Sequence, residues 1–86
     1  MNYPPLYLRK NSERTVRNGH PWIFSGAVDR RPKDADTGDV VDVFDSNQRF
    51  VCRGFYNKRS LIRVRSLTQD ASCPIDSTFF KQRIAQ

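Results

Sequence analysis

The sequence has 86 residues, with 15 basic and 9 acidic side chains and a formal net charge of +6 at pH 7. Its length excludes a second hydrophobic core, and its composition, 37% hydrophobic and 28% charged, is typical of a small folded domain and not of a disordered chain. The apolar runs fall short of the roughly 20 residues that cross a bilayer, and residues 1–10 lack the apolar centre of a signal peptide, so we expect a cytoplasmic protein that does not bind a membrane.

The first elements in chain order are a short strand and a short helix. After two prolines, residues 6–9 can form a strand. Asn11 or Ser12 can then cap a helix over residues 14–18, with Glu13 in its first turn. Gly19 is expected to end this helix in a left-handed conformation.

The second predicted strand follows Pro21, which favours extended backbone in the residue before it. Alternation over residues 22–27 places Trp22, Phe24 and Gly26 on one face, and Ile23, Ser25 and Ala27 on the other. Because both faces are apolar, we expect the strand to be covered on both sides, with Trp22 and Phe24 packed in the core. Residues 30–38 are polar and contain Pro and Gly, which predicts a loop.

The next segments predict a hairpin and a further strand. Residues 40–44 form the first strand, with Val41 and Val43 inward, and Asn47 is expected to take a positive φ in the turn that follows. Residues 50–56 return antiparallel, and Gly54 indicates a bulge or a close backbone approach. A turn precedes a last strand over residues 62–67.

Several short strands separated by turn residues predict a mainly β fold with short helices, of the α+β class, arranged as a small β pseudo-barrel. We assign residues 1–73 to this domain. Residues 74–86 read as the start of a helix, with Phe80 and Ile84 one turn apart on one face. This helix lacks a carboxy-terminal signal, so we expect it to continue as a linker toward a domain outside the sequence.

Positive charge is concentrated in one stretch of the chain. Residues 49–65 hold six basic side chains and no acidic one, whereas residues 32–48 hold one basic and five acidic side chains. Such segregation indicates a face that binds a polyanion, and the acidic segment is interpreted as a solvated face that avoids RNA. The residues predicted to contact RNA, with Tyr56 or Phe55 stacking on a base, are Arg14, Arg17, Arg53, Tyr56, Lys58, Arg59, Arg63 and Arg65.

The sequence offers no catalytic or metal-binding constellation. His20 has no Asp or Ser at a spacing that defines a triad, and a structural role beside Pro21 is favoured. Cys52 and Cys73 lie 21 residues apart without a CxxC pair, so we interpret them as reduced thiols, with Cys52 inward and inert. The aspartates at 34, 36, 39, 42 and 45 do not fit the spacing of a calcium loop. We therefore predict no metal and no cofactor bound by this chain.

Five segments of the sequence together resemble a known family. They are GHPWIF at 19–24, GDVVDVFD at 38–45, RGFYN at 53–57, SLIRVR at 60–65 and IDSTFFKQRI at 75–84. In this order and spacing, over roughly residues 6–86, they resemble the amino-terminal PUA domain of class I S-adenosylmethionine-dependent methyltransferases that modify cytosine at carbon 5 in large-subunit rRNA. Two departures are Gln48, where the hairpin commonly has glycine, and Lys58, where proline commonly follows asparagine.

The resemblance implies a PUA-like β pseudo-barrel that binds structured RNA. It also implies a parent protein with a methyltransferase domain that holds S-adenosylmethionine, the cofactor that this chain itself lacks. The first hypothesis is thus an RNA-binding module that helps position large-subunit rRNA. If about four phosphates are neutralised, a plot of the logarithm of the affinity against the logarithm of the salt concentration should have a slope of roughly −3 to −4.

Two other hypotheses belong to different classes. The chain could instead be a protein-docking domain with incidental RNA affinity, for example a homodimer through the helix around Phe80 and Ile84. A free-standing small enzyme is disfavoured because the residues for catalysis are missing, so we predict no methyl transfer by this chain alone.

Overall fold

The computed structural model describes residues 3–73 and residue 75. The predicted helix around Phe80 and Ile84, and the division at residue 73, involve residues outside the described part. The strands are β1 (Pro5–Leu8), β2 (Trp22–Phe24), β3 (Val28–Arg30), β4 (Val40–Phe44), β5 (Phe50–Tyr56) and β6 (Ile62–Thr68). A five-residue helix, α1 (Glu13–Arg17), follows β1, and a 3₁₀ turn (Ser25–Ala27) joins β2 to β3.

The strands form one six-stranded sheet in the order β2-β6-β5-β4-β1-β3. Every neighbouring pair is antiparallel except β1 and β4, which run parallel. The sheet curls into a half-barrel, so the predicted mainly β pseudo-barrel fold is confirmed. In the described residues, no helix is long and apolar enough to cross a membrane.

The concave face of this sheet encloses the core, because alternate residues of every strand point inward. Val41 and Val43 of β4 are fully buried, as predicted, and Leu6, Ile23 and Val64 pack into the same cluster from neighbouring strands. Val16 is the buried residue that α1 contributes, and the side-chain amide of Gln69 donates to its carbonyl at 2.9 Å. This bond holds α1 against the end of β6.

The ends of α1 confirm one prediction and correct another. Gly19 has a φ of +102°, the left-handed conformation expected after the helix. Ser12 occupies the cap position but has helical backbone angles, and its side chain makes no capping hydrogen bond. Asn11 instead has a φ of 70°. The chain therefore enters α1 through a backbone turn, in which Ser12 N–H donates to Arg9 O at 3.0 Å.

The β4–β5 hairpin has the predicted strand bounds but a different turn. The positive φ falls on Gln48, at 64°, and not on Asn47. The carboxylate of Asp45 accepts the backbone N–H groups of Asn47 and Arg49, each at 2.9 Å, and Gln48 N–H donates to Asp45 O. These bonds fix the residues on either side of Gln48, so Gln48 takes the left-handed conformation.

The second strand was predicted to run to Ala27, but β2 ends at Phe24 and Ser25–Ala27 form a 3₁₀ turn. β3 was not predicted. β3 has three residues, a length too short to give a clear alternation. Two residue pairs join it to β1, Tyr7 with Arg30 and Leu8 with Val28. The predicted loop over residues 30–38 begins one residue later, because Arg30 belongs to β3.

Candidate nucleic-acid interface

The structure separates the eight residues predicted to contact RNA into three groups. Three of them are buried: Arg53, Arg63 and Tyr56. Two are exposed and form ion pairs: Arg17 and Lys58. Three are exposed and have no side-chain partner among the described residues: Arg14, Arg59 and Arg65.

Arg53 was predicted to face RNA but has only 7% of its surface exposed. Its guanidinium forms a bidentate pair with Asp42 on β4, with Nε 2.6 Å from Oδ1 and Nη2 3.3 Å from Oδ2. It also donates to the carbonyls of Cys73 and Ala71, at 2.6 and 3.1 Å, and its Cζ lies 4.2 Å from the ring centroid of Tyr3. The hydrogen bond that Arg53 donates to the Asp42 carboxylate raises the pKa of Arg53 above its ordinary value. The Arg53 side chain is therefore a structural link and is not available to a phosphate.

Arg63 and Tyr56 are also buried, with 9% and 2% of their surfaces exposed. The turn after β5 folds over Arg63, whose Nη1 donates to the carbonyl of Lys58. Tyr56 pairs with Val64 on the core side of the sheet. Alternation along β6 correctly placed Arg63 opposite Val64, but it could not show that a turn covers that side.

Arg17 and Lys58 are exposed and paired with aspartates of the acidic segment. Arg17 Nη2 lies 3.2 Å from Asp45 Oδ2, and Lys58 Nζ lies 2.9 Å from Asp36 Oδ1. The hydrogen bond from Lys58 lowers the pKa of Asp36, and the backbone N–H of Arg49 is the main cause of the lowered pKa of Asp45. The interpretation of this segment as a solvated face is thus wrong for Asp45, which is buried, and for Asp42, which holds Arg53.

The basic residues do not share one flank of the domain. Arg14 and Arg17 lie on α1, which packs against β5, and Arg17 donates to the carbonyl of Phe50 at the start of that strand. Lys58 and Arg59 follow its other end. A seven-residue strand is roughly 20 Å long, so the two pairs are separated by about that distance. The expectation of a single basic bank is therefore replaced by a smaller cluster around β6.

Arg65 on β6 lies between two aromatic residues on the convex face of the sheet. It pairs with Trp22 of β2 on one side and with Phe55 of β5 on the other. Trp22 is 41% exposed, Phe55 is half-buried and Arg65 is exposed. We call these three residues the Trp22–Arg65–Phe55 row.

The predicted core positions of Trp22 and Phe24 are wrong, because β2 is the last strand on its side of the sheet and Trp22 keeps 41% of its surface exposed. Phe24 is 49% exposed. The rings of Trp22 and Phe24 meet edge to face, with their centroids 6.5 Å apart. The centroid of the His20 ring lies 6.0 Å from that of the Trp22 ring. His20 Nδ1 accepts the backbone N–H of Trp22 at 3.2 Å, which is a structural contact of the kind predicted for this histidine.

A shallow recess adjoins the Trp22–Arg65–Phe55 row. Its volume is about 260 Å³, and its walls include Phe55, Arg65 and Asn57. The turn that follows Asn57 carries Lys58 and Arg59, so two further cations lie beside it. The Asn57 carboxamide accepts the backbone N–H groups of Arg59 and Ser60 at 3.0 and 3.1 Å, which fixes the shape of this turn.

Gly54 lets β5 and β6 approach each other next to this row. A Cβ added at Gly54 would collide with the backbone carbonyl of Arg65, and the strand register shifts between Arg53 and Gly54. The predicted close approach and bulge are both confirmed. Because the contact is made to Arg65 itself, this glycine helps to set where Arg65 sits.

The remaining candidate sites show no arrangement for catalysis. Neither Cys52 nor Cys73 forms a disulfide, in line with the predicted reduced thiols. Burial raises the pKa of Cys52 to about 11, which keeps it protonated and inert at neutral pH. In residues 3–73, no three His, Cys, Asp or Glu side chains come together to hold a metal ion.

Comparisons with known proteins agree with this geometry. Residues 6–69 match the model of a PUA-like domain. A relative named ribosomal RNA large subunit methyltransferase I from Salmonella arizonae is 40% identical over 85 residues, which are 99% of this chain and 21% of the relative. The protein of the same name from Klebsiella pneumoniae is 40% identical over 84 residues, 98% of this chain and 21% of the relative. The chain thus spans about a fifth of the length of these relatives.

Proposed function

This chain belongs to the family of PUA-like domains, and we propose that it is an RNA-binding module. We propose further that it helps to position large-subunit rRNA for an S-adenosylmethionine-dependent methyltransferase domain in a longer parent protein. The names of the relatives support this assignment, because both are called rRNA large subunit methyltransferases. Modification of cytosine at carbon 5 is part of the same proposal.

The observation that carries the proposal is the Trp22–Arg65–Phe55 row. Unpaired bases in RNA stack on aromatic side chains and on guanidinium planes, and Arg also pairs with phosphate. Trp22 and Arg65 are exposed neighbours on adjacent strands, so one nucleotide can be stacked by Trp22 while its phosphate is held by Arg65. The strands fix both backbones, which lowers the entropy lost when RNA binds.

The cations beside the recess extend this row. Arg59 is exposed without a side-chain partner in the described part of the chain, and Lys58 is held only by an exposed pair with Asp36. Exposed ion pairs of this kind contribute about 0–1 kcal/mol, so a phosphate can replace Asp36 at little cost. Lys58, Arg59 and Arg65 therefore form the proposed phosphate-binding group. Arg14 and Arg17 remain predicted contacts of a longer RNA that also reaches α1.

RNA affinity measured by fluorescence anisotropy at several salt concentrations tests this proposal. The probe is a fluorescein-labelled RNA hairpin with a single-stranded flank. The Trp22→Ala variant should lose about 1–3 kcal/mol of binding free energy if one base stacks there. The Arg65→Ala variant should reduce the salt slope by about 0.7–0.9, which is one phosphate contact. The matched control is Arg49→Ala, because Arg49 is equally charged and exposed but lies at the far end of β5.

A salt slope near zero for the wild-type chain would contradict RNA binding through phosphates. Equal losses for Arg49→Ala and Arg65→Ala would show that only net charge matters and would contradict the assigned surface. A parallel assay with labelled S-adenosylmethionine should detect no methyl transfer by this chain.

A second candidate function, protein docking, is favoured by the exposed apolar surface at the sheet edge. Phe24 is 49% exposed and Leu61 is 77% exposed, and the two lie close, because Ser25 N–H donates to Leu61 O at 2.8 Å. Light scattering distinguishes this function: a dimer that Phe24→Ser/Leu61→Ser dissociates would support docking through this surface. The separate proposal of a homodimer through the helix around Phe80 and Ile84 predicts instead that the dimer is dissociated by Phe80→Ser/Ile84→Ser.

A further inference from the structure

We propose that a second cleft, at the opposite edge of the sheet from β2, binds one unpaired nucleotide of the same RNA. This inference rests on the proposed RNA-binding function and extends it. The cleft lies where β1 pairs with β3, and its volume is about 590 Å³. Sites for small organic ligands range from roughly 300 to 1,000 Å³, so the cleft can hold a nucleotide.

A series of contacting aromatic rings leads to the cleft and ends at Tyr7, which lines it. The ring of Phe50 lies 6.1 Å from that of Phe44, and the ring of Phe44 lies 5.6 Å from that of Tyr7, with which it is stacked. The guanidinium Cζ of Arg30 then lies over the Tyr7 ring, 4.4 Å from its centroid. Arg30 is exposed, so the side of its guanidinium away from Tyr7 is accessible. A base placed there would continue the series.

Positive charge surrounds this stacking surface. Arg30, Arg31 and Lys33 line the cleft together with one acidic residue, Asp34, and none of these four takes part in an ion pair within the described residues. The excess of two positive charges suits a phosphate. A nucleotide uses both features, because its base stacks on Arg30 while its phosphate meets Arg31 and Lys33. An acidic peptide would use the cations and leave the stacking surface empty.

The position of the cleft gives this second contact a function. From β6 to β3 the sheet has four strand spacings of about 4.8 Å, so the cleft and the Trp22–Arg65–Phe55 row are roughly 20 Å apart along the sheet. An RNA that reaches both sites crosses the domain. Two linked contacts raise affinity well beyond either one alone. The cleft would therefore favour RNA whose unpaired segment extends from the Trp22–Arg65–Phe55 row to the β3 edge of the sheet.

Amide NMR titration of the 86-residue chain with a uridine hexanucleotide tests the inference. We expect shifts of the amides of Tyr7, Arg30, Arg31, Lys33 and Asp34, in addition to those around Arg65. Arg31→Ala/Lys33→Ala should weaken the response of Tyr7 and residue 30 at least tenfold. The response at Arg65 should weaken less, because that site keeps its own contacts and loses only the contribution of the linked cleft. Arg30→Lys keeps the charge and removes the planar stacking surface, so it should weaken the cleft response about fivefold. Lys10→Ala, an exposed control in the turn after β1, should match wild type.

The outcomes separate this inference from the proposed function. Shifts at Arg65 without shifts at the cleft would overturn the second site and leave RNA binding intact. No response at either site would overturn both. If Arg30→Lys binds as well as wild type, or if a glutamate hexapeptide displaces the oligonucleotide from the cleft at equal concentration, the nucleotide is the wrong occupant.

Discussion

Arg53 Nε lies 2.6 Å from Asp42 Oδ1, and these two residues face each other across the β4–β5 pair. The same guanidinium reaches the carbonyls of Ala71 and Cys73 and lies over the ring of Tyr3. One side chain therefore ties the centre of the sheet to both ends of the described chain. Asp42 carries the charge that lets Arg53 be buried at this position.

Replacing Arg53 should destabilise the domain strongly. Removing one partner of a buried pair leaves the other charge without compensation, which costs about 3–5 kcal/mol. The Asp42 side chain is 16% exposed, so we expect Arg53→Met to lower the free energy of unfolding by about 3 kcal/mol. Urea denaturation followed by tryptophan fluorescence measures this change.

The double variant Arg53→Met/Asp42→Leu is the control, because it removes both charges. It should regain part of the lost stability but not all, since the carbonyls of Ala71 and Cys73 still lose their donor. A loss below about 0.5 kcal/mol for Arg53→Met, the size typical of surface substitutions, would contradict the structural role of this pair.

Gly54 gives a prediction that connects packing with RNA binding. A methyl group at this position would meet the backbone of Arg65, which cannot move without displacing β6. Gly54→Ala should therefore lower the free energy of unfolding by about 1–3 kcal/mol, as overpacking generally does. It should also weaken RNA binding in the folded protein, because Arg65 shifts. Thermal unfolding and fluorescence anisotropy measure the two effects.

Gly26→Ala is the matched control for this substitution. No atom lies within 4 Å of a Cβ added at Gly26, and its φ is not positive. It should leave both stability and RNA affinity close to wild type. If Gly54→Ala were as stable as Gly26→Ala, the close approach of β5 and β6 would be refuted.

The sequence predicted the elements that repeat a pattern over five or more residues. The bounds of β4 and β5 were predicted correctly, because alternate valines in β4 and the turn residues after it are unambiguous. Gly54 was recognised for a related reason, since an isolated glycine within a strand indicates a close approach. The fold class followed from the number and spacing of such strands.

The candidate site could be predicted only in part, because alternation gives the side of a strand and not what covers that side. Arg53 and Arg63 point away from the core residues of their strands, as expected, but the segment 71–73 and the turn after β5 cover them. For Trp22 the error is the reverse, because it was predicted to be buried and is exposed. Its strand looked buried on both sides, yet β2 is an edge strand, a fact of topology that no local pattern contains.

The hairpin turn yields a pair of substitutions with opposite effects. Gln48 has a φ of 64°, which costs an L-residue about 1–2 kcal/mol relative to right-handed backbone. Gln48→Gly removes this strain and loses some entropy, so it should raise the free energy of unfolding by about 0.5–1 kcal/mol. Asn47→Gly, at a residue with negative φ, should lower it by a similar amount. Urea denaturation measures both, and a more stable Asn47→Gly would show that the positive φ lies at residue 47.

The carboxylate of Asp45 should make stability depend on acid pH. Its pKa is lowered in the folded chain by the backbone N–H groups of Arg49 and Asn47 and by Arg17, so the folded state prefers the charged form. This stabilisation is complete above the ordinary value near pH 4 and is lost as the pH falls through the lower pKa of the folded state, because the unfolded chain takes up a proton first. Asp45→Asn lacks this effect, so the urea midpoints of the variant and of wild type should differ most at pH 5–7 and converge toward pH 2.

Asp29→Asn, which removes an exposed carboxylate without a partner in the described residues, should follow wild type throughout. Midpoints of Asp45→Asn that stay a constant distance below wild type from pH 7 to pH 2 would show that Asp45 acts through shape alone and not through its charge.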